Sequence, residues 1–501
     1  MPPQGPSAHP EEVPLARRAV RGGLWVALSA YWTIVFGFGA GILLTRLLSP
    51  EAFGAFALGM FFAQLLRLET KVGVRQAFGQ HQALSPEALG TFWMLDLALI
   101  LGGLLLTFLA APILVSLGYP VEVVQVALAL ALAAALESLG SIAGTMLDRE
   151  LRFGPISLWQ AVVFPLSYGP AFWLALHGGG VWSLVAQNLV YSALLALGAW
   201  AIARWQLPEL WGRPWRFDQA LARRFLQFGL TVGAAALAAM LLSQLDNFMI
   251  GTLVGVTALG FYDRAYRIAQ WPSTLLNTML TRPAFYTYAR VQDDVERLRR
   301  AAGAVLWGIM VLAWPIALFT FLAAPDLIRW LYGERWLPAT PLLRALALVS
   351  AVRPVWDNAA VLFTAIGRPA HGLFLMGVQV LVLGAAGLPM TALWGPIGTC
   401  GAVGLAFLVG LVGAYGILRR EIGLGFDRAW GVPLLAALFT LAGGLAGSRA
   451  AFVKSLPPLI RVGLLGLWVA GAYGGVHAVL LLRPLPRSAG ALWRWLRSPG
   501  G

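Results

Sequence analysis

The chain has 501 residues, is 59% hydrophobic and only 12% charged, and has a mean hydropathy of +0.75, which excludes an ordinary soluble domain. Its net charge of +14 would suggest nucleic acid in a soluble protein, but in a chain this apolar the arginines must first be placed against a bilayer, and no nucleic-acid partner is needed to explain them. The single cysteine, Cys400, excludes an intrachain disulfide and a Cys-cluster metal site, and the five His show no ligand spacing, so neither metal nor cofactor is expected.

Residues 1–14 lack a signal peptide's order of charge, apolar run and cleavage site and read as a cytosolic tail. A membrane span takes about 20 mostly apolar residues, and roughly fourteen candidates follow. They lie near 24–45, 53–78, 89–115, 121–146, 156–176, 181–203, 225–254, 264–288, 301–324, 341–366, 372–394, 396–418, 429–447 and 459–482. Span two carries Gln64, Arg67, Lys71 and Arg75 at steps of three, four and four, with Val72, Val74, Ala77 and Phe78 between. If the helix runs on to Phe78, these polar groups share one face. If it ends near Leu68, they are ordinary charges beside a membrane. Asp96 in span three and Glu137 in span four read as helix-to-helix hydrogen bonds.

Asp246 interrupts span seven and is either a coupling residue or the partner of Arg264 or Arg267. Span eight, FYDRAYRIAQWPSTLLNTMLTRPAFYTY, places Arg267, Gln270, Thr274, Asn277 and Thr281 on one helical face. Lipid cannot solvate such a stripe, so it must line water, a ligand or another polar helix. In span ten, Arg353 and Asp357 stand four apart and read as a local pair.

Arginines cluster before span one and after spans four, six, eight, twelve and fourteen, which sets those loops and both termini in the cytoplasm. The sequence also repeats. Arg17, Arg18, Gly23, Leu24 and Val26 match Arg223, Arg224, Gly229, Leu230 and Val232 at a spacing of 206, which also relates Gln64 to Gln270. The expected fold is therefore all-α and polytopic: two six-helix lobes related by a pseudo-twofold axis along the membrane normal, plus two C-terminal helices. The divisions are a tail at 1–22, an N-lobe at 23–206, a linker at 207–224, a C-lobe at 225–420, and a last pair of helices with its tail at 421–501.

Three stretches then carry a resemblance: LLTRLLSPEAFGAFALG (43–59), QLDNFMIGTLVGVTALGFYDRAYRIAQWP (244–272), and YGERWLPATPLLRALAL (332–348) with AIGRP (365–369). In this order they resemble the polysaccharide transporter family, the lipid-linked O-antigen and exopolysaccharide repeat-unit flippases. Its superfamily also holds multidrug exporters and the lipid II flippase. The resemblance covers residues 18–420 and implies alternating access without ATP. It also implies an undecaprenyl-pyrophosphate-linked oligosaccharide as substrate, moved from the inner to the outer leaflet of a bacterial inner membrane. The end of span two departs in detail from the apolar ending usual in the family.

The family lines its cavity with cations, a role carried to Arg67, Lys71, Arg75, Arg267 and Arg282, with Arg46 as a gate. Arginine binds phosphate oxygens bidentately. Gln64, Gln270, Thr274, Asn277 and Thr281 offer sugar hydroxyls their hydrogen bonds, and Asp246 is the candidate for a coupling residue. Membrane lipids, a polysaccharide polymerase and glycosyltransferases are the implied partners. A membrane-embedded glycan polymerase or ligase would need a large outer loop or a buried His/Asp constellation. The outer loops are short, and the longest connection, 323–340, holds no His or Cys, so the chain reads as a transporter rather than an enzyme; no GxxxxGK[ST] loop occurs, which excludes a self-contained ATPase. The nearer rival, a multidrug exporter on the same scaffold, would favour an acidic, aromatic cavity.

Overall fold

A computed structural model describes residues 12–68, 72–80, 85–150, 152–208, 216–425, 428–448 and 455–482. All its regular elements there are helical. In chain order they are α1 (Glu12–Leu47), α2 (Pro50–Leu65), α3 (Val74–Gln80), α4 (Pro86–Ser116), α5 (Val121–Arg149), α6 (Phe153–Leu176), α7 (Val181–Gln206) and α8 (Gln219–Leu253). Then come α9 (Val256–Ala269), α10 (Trp271–Arg290), α11 (Val295–Leu331), a 3-10 turn (Glu334–Ala339), α12 (Thr340–Ala365), α13 (Pro369–Ile422), α14 (Arg428–Ser448) and α15 (Pro458–Leu482).

Among the described residues ten helical stretches are long and apolar enough to cross a membrane. Leu105, Phe108, Leu166, Leu197, Leu393 and Leu467 each leave more than half their surface exposed, a pattern that suits lipid and would be costly in water. The 54-residue α13 breaks at Gly395, whose φ of 60° and ψ of −147° only glycine adopts readily. Gly180, before α7, has nearly the same conformation (φ 50°, ψ −129°).

Two predicted spans are not single helices. α2 has 16 residues and α9 has 14, so each is too short to cross alone, and each leads into a second helix. The first helix of span two ends at Leu66 (φ −94°, ψ 0°), and α3 begins beyond Gly73, whose φ of 53° a continuing helix cannot contain. Of the two readings of span two, the continuous helical face through Gln64, Arg67 and Arg75 is not adopted, and the helix ends close to Leu68, as the other had it; Lys71 lies outside the described residues. The irregular segment is accommodated by glycines on its neighbours. A Cβ on Gly103 of α4 would stand 2.9 Å from the Leu66 carbonyl oxygen, and one on Gly229 of α8 would stand 1.8 Å from that of Val72.

The chain divides into two compact units within α8, Met1–Met240 and Leu241–Gly501. In the first, α3 is part of the core. Val74 and Phe78 are fully buried among Phe92, Ile142, Met146 and Phe225, with Phe78 stacked on Phe92 at 4.2 Å. In the second, Trp356, Phe363, Leu383, Ala402 and Phe407 pack with Tyr288 and the face of α11 bearing Leu298, Ala302, Leu306 and Ile309. Here α14 and α15 lie against α11. Asp326 pairs with Arg461 at 2.6 Å, and Trp468 fills the notch left by Gly443 and Gly444.

Just before α11, the Asp294 carboxylate accepts the N–H groups of Glu296 and Arg297, both at 3.0 Å, satisfying donors that a helix start leaves open. The Arg297 N–H, joined by that residue's guanidinium, holds the carboxyl below its ordinary range.

Candidate functional site

In the first unit the break in span two brings two arginines to α5. Arg67, just beyond α2, donates Nη2 to the Ser138 hydroxyl at 3.0 Å and Nη1 to Glu137 at 3.5 Å. Arg75, on α3, donates Nε and Nη2 to one oxygen of Asp96 at 3.2 and 2.9 Å, and Nη2 also to the Ser138 carbonyl at 3.2 Å. Asp96 is fully buried, so its charge requires this partner. The two carboxylates read as separate helix-to-helix bonds are therefore counter-ions of the two stripe arginines. Arg67 also lines a shallow cleft with Ala63, Gly103, Thr107 and Ala135. Gln64 is half-buried in the last turn of α2, and Arg46 is exposed in the last turn of α1.

The second unit holds a different arrangement. Asp246, 2% exposed, accepts the Tyr262 hydroxyl at 2.6 Å and the Asn247 N–H at 2.8 Å. Its expected partners Arg264 and Arg267 both turn to Asp263 instead, at 2.9 and 3.4 Å, because adjacent side chains on α9 reach each other more easily than they reach α8. Tyr262 stacks on Tyr266, whose hydroxyl accepts Arg353 Nη1 at 2.7 Å, and the Arg353 guanidinium lies 5.4 Å from the Phe407 ring centre. Asp357 accepts Asn277 at 2.7 Å, so Arg353 and Asp357 each bond elsewhere rather than pairing directly along α12.

Of the span-eight stripe, Asn277, half-buried on α10, reaches this buried network through Asp357, and the Gln270 side chain reaches it through a hydrogen bond with Tyr266. Arg267 is 60% exposed at the end of α9, Gln270 occupies the junction with α10, and Thr274 bonds the Gln270 carbonyl at 3.2 Å. Thr274, Thr281 and Arg282 are exposed. Sequence reading missed Ser138, Tyr262 and Tyr266, whose hydroxyls complete the clusters. Tyr262 and Tyr266 stand one helical turn apart inside the quoted motif, a spacing that could have marked them. The start of the 332–348 stretch is structural: Trp336 of the 3-10 turn is fully buried against Phe261 and Tyr332. Among the described residues no group of His, Cys, Asp and Glu is arranged to hold a metal ion.

Comparison with known proteins agrees with this architecture. Over 339 residues the chain is 27% identical to the succinoglycan biosynthesis transport protein ExoT of Rhizobium meliloti (strain 1021), covering 67% of each chain. Over 358 residues it is 23% identical to the lipopolysaccharide biosynthesis protein WzxC of Escherichia coli (strain K12), covering 71% of each. In fold it is similar to the lipid II flippase MurJ in an inward closed conformation, with a TM-score of 0.71 at 14% identity over 92% of this chain and 100% of that one. An inward-facing MATE multidrug resistance transporter gives 0.64 at 16% identity, over 78% and 94%. The profile of a family described as polysaccharide biosynthesis protein matches residues 43–341, more than half of the sequence. This multi-pass, all-α membrane protein belongs to the polysaccharide biosynthesis protein family.

Proposed function

We propose that the chain is a flippase that carries an undecaprenyl-pyrophosphate-linked oligosaccharide from the inner to the outer leaflet of a bacterial inner membrane by alternating access. The observation that carries the reading is the interrupted span two, which brings Arg67 and Arg75 to Ser138 of α5 within the helical bundle. Irregular backbone and cations at membrane depth persist where they serve a pathway. A pyrophosphate gives Arg67 a bidentate partner. On this reading Arg267 and Arg282 supply further charge, and Gln64, Gln270, Thr274, Asn277 and Thr281 meet sugar hydroxyls. Arg46 acts as a gate, and Lys71 belongs with the cations of span two. Asp246 couples the cycle to an ion or to membrane potential. The names of ExoT, a transport protein of succinoglycan biosynthesis, and of the lipid II flippase MurJ support this substrate class.

The same reading has fourteen crossings, two six-helix lobes followed by a C-terminal pair, with both termini cytoplasmic. It makes the protein a transporter without catalytic chemistry, working beside a polymerase and glycosyltransferases. The test is flipping of a fluorescent, pyrophosphate-linked oligosaccharide lipid in proteoliposomes. Arg67→Ala combined with Arg267→Ala is expected to abolish delivery to the outer leaflet while the protein still elutes as a folded species. Undiminished delivery would overturn the reading, and export of organic cations in its place would favour the multidrug alternative.

A further inference from the structure

The two arginines of the first unit are held very differently. Arg75 makes two contacts, at 2.9 and 3.2 Å, to a carboxylate with no exposed side-chain surface. Arg67 meets Glu137 through one contact at 3.5 Å, and the Glu137 side chain is 49% exposed. An Asp96 parted from Arg75 would be a buried, uncompensated anion, whereas Glu137 parted from Arg67 would not be left buried, half of its side chain being already exposed. Both guanidiniums are anchored on Ser138, Arg67 through the hydroxyl and Arg75 through the carbonyl, so neither depends on its carboxylate alone for position. Across from Glu137, on α7, Tyr191 lies within electrostatic reach of the carboxylate, and its hydroxyl accepts Gln160 at 3.0 Å.

We propose that Glu137 is an exchangeable counter-ion: the phosphorylated head group displaces it from Arg67, and its return to Arg67 expels the head group, while Arg75–Asp96 stays paired as a fixed brace. The proposal deepens the head-group reading above and rests on it. A carrier must release what it binds, and an arginine stripped of its anion in a low-dielectric site is costly unless another anion replaces it. Glu137 supplies that replacement from within the same unit. It acts through Arg67 and is a positioning residue. The brace explains why the two cations differ in role although they look alike in sequence.

The test uses the full chain in lipid nanodiscs, with farnesyl pyrophosphate titrated as the probe and flipping of the lipid-linked oligosaccharide measured in parallel. Glu137→Gln is expected to tighten farnesyl pyrophosphate binding about two- to fivefold, the worth of a partly exposed ion pair. The same variant is expected to slow flipping. Glu137→Asp is expected to restore both toward the native values. A purely structural role for Glu137 would not move binding and turnover in opposite directions. If Arg67→Gln loses binding while Glu137→Gln binds no more tightly than the native protein, the exchange is wrong and the head-group site stands. If folded Arg67→Gln binds farnesyl pyrophosphate as the native protein does, the head-group reading itself fails. Should Glu137→Gln not fold, Glu137→Ser carries the same expectation and the same refutation.

Discussion

Removing the Asp96 carboxylate gives a sharp test of the brace, because it takes away one partner of a buried pair and leaves the other. Asp96 receives two donors from Arg75 and has no exposed surface, while Arg75 retains 21% of its side-chain exposure and its bond to the Ser138 carbonyl. Breaking one side of a buried ion pair costs about 3–5 kcal/mol. The residual exposure of Arg75 sets the estimate at the low end of that range. For a unit of this size each kcal/mol is worth about 2–4 °C, so Asp96→Ala should lower the melting temperature by about 6–12 °C. Replacing both residues, Arg75→Leu with Asp96→Leu, removes the orphaned charge and should cost far less than the sum of the single changes. The assay is size-exclusion chromatography of heated, detergent-purified protein for the native chain, Asp96→Ala, the single variants Arg75→Leu and Asp96→Leu, and their double variant. A melting temperature for Asp96→Ala within about 2 °C of the native value, or strict additivity across the cycle, would refute the brace.

The close approach of α8 to the broken span gives a second expectation. Gly229→Ala should displace the 66–73 segment, because the new Cβ meets backbone rather than a movable side chain, whereas Gly308→Ala on α11, with nothing near its Cβ, should be neutral or slightly stabilising; protease sensitivity of the 66–73 segment reads the difference. The Asp294 cap predicts an acid dependence at the start of α11. Its carboxyl is held below the ordinary range, so the stabilisation is complete above the unfolded carboxylate's value and is lost as pH falls through the lowered one. Amide exchange in the first turn of α11 should therefore rise at low pH, and Asp294→Ala should show the raised exchange already at neutral pH.

Runs of apolar residues located the helices because a long apolar stretch has few other uses, and the stripe of span eight pointed to polar surroundings that Asn277 has. The break in span two was less legible. It depends on Gly103 and Gly229, which sit on other helices and offer backbone-to-backbone approach, and no periodicity within residues 53–78 reports room on a neighbour. Partners were hidden for a related reason. Arg75 pairs with Asp96, which is 21 residues away, and Arg67 with Ser138, which is 71 away, whereas helical spacing relates only residues three or four apart. Local reading therefore paired Asp357 with Arg353 and offered the arginines of α9 as one of two readings for Asp246. The folded chain gave those acids an amide and a phenol instead.

That substitution of partners separates the buried acids by what each can do. Asp96 is bound to a cation in direct contact, so protonating it or drawing it to another ion would leave Arg75 orphaned, and the cost would fall on stability. Asp246 is bound by the neutral hydroxyl of Tyr262 and the backbone N–H of Asn247, and its charge is balanced at longer range by Arg353, which is itself secured to Tyr266. A proton or a metal cation arriving at Asp246 would change the charge of the second unit without breaking an ion pair. It would act through a chain of contacts, Tyr262 to Tyr266 to Arg353, that runs from α8 through α9 to α12. The coupling role proposed for Asp246 therefore has a physical basis that Asp96 lacks: its bonds tolerate a change of charge, and the helices they join would feel it.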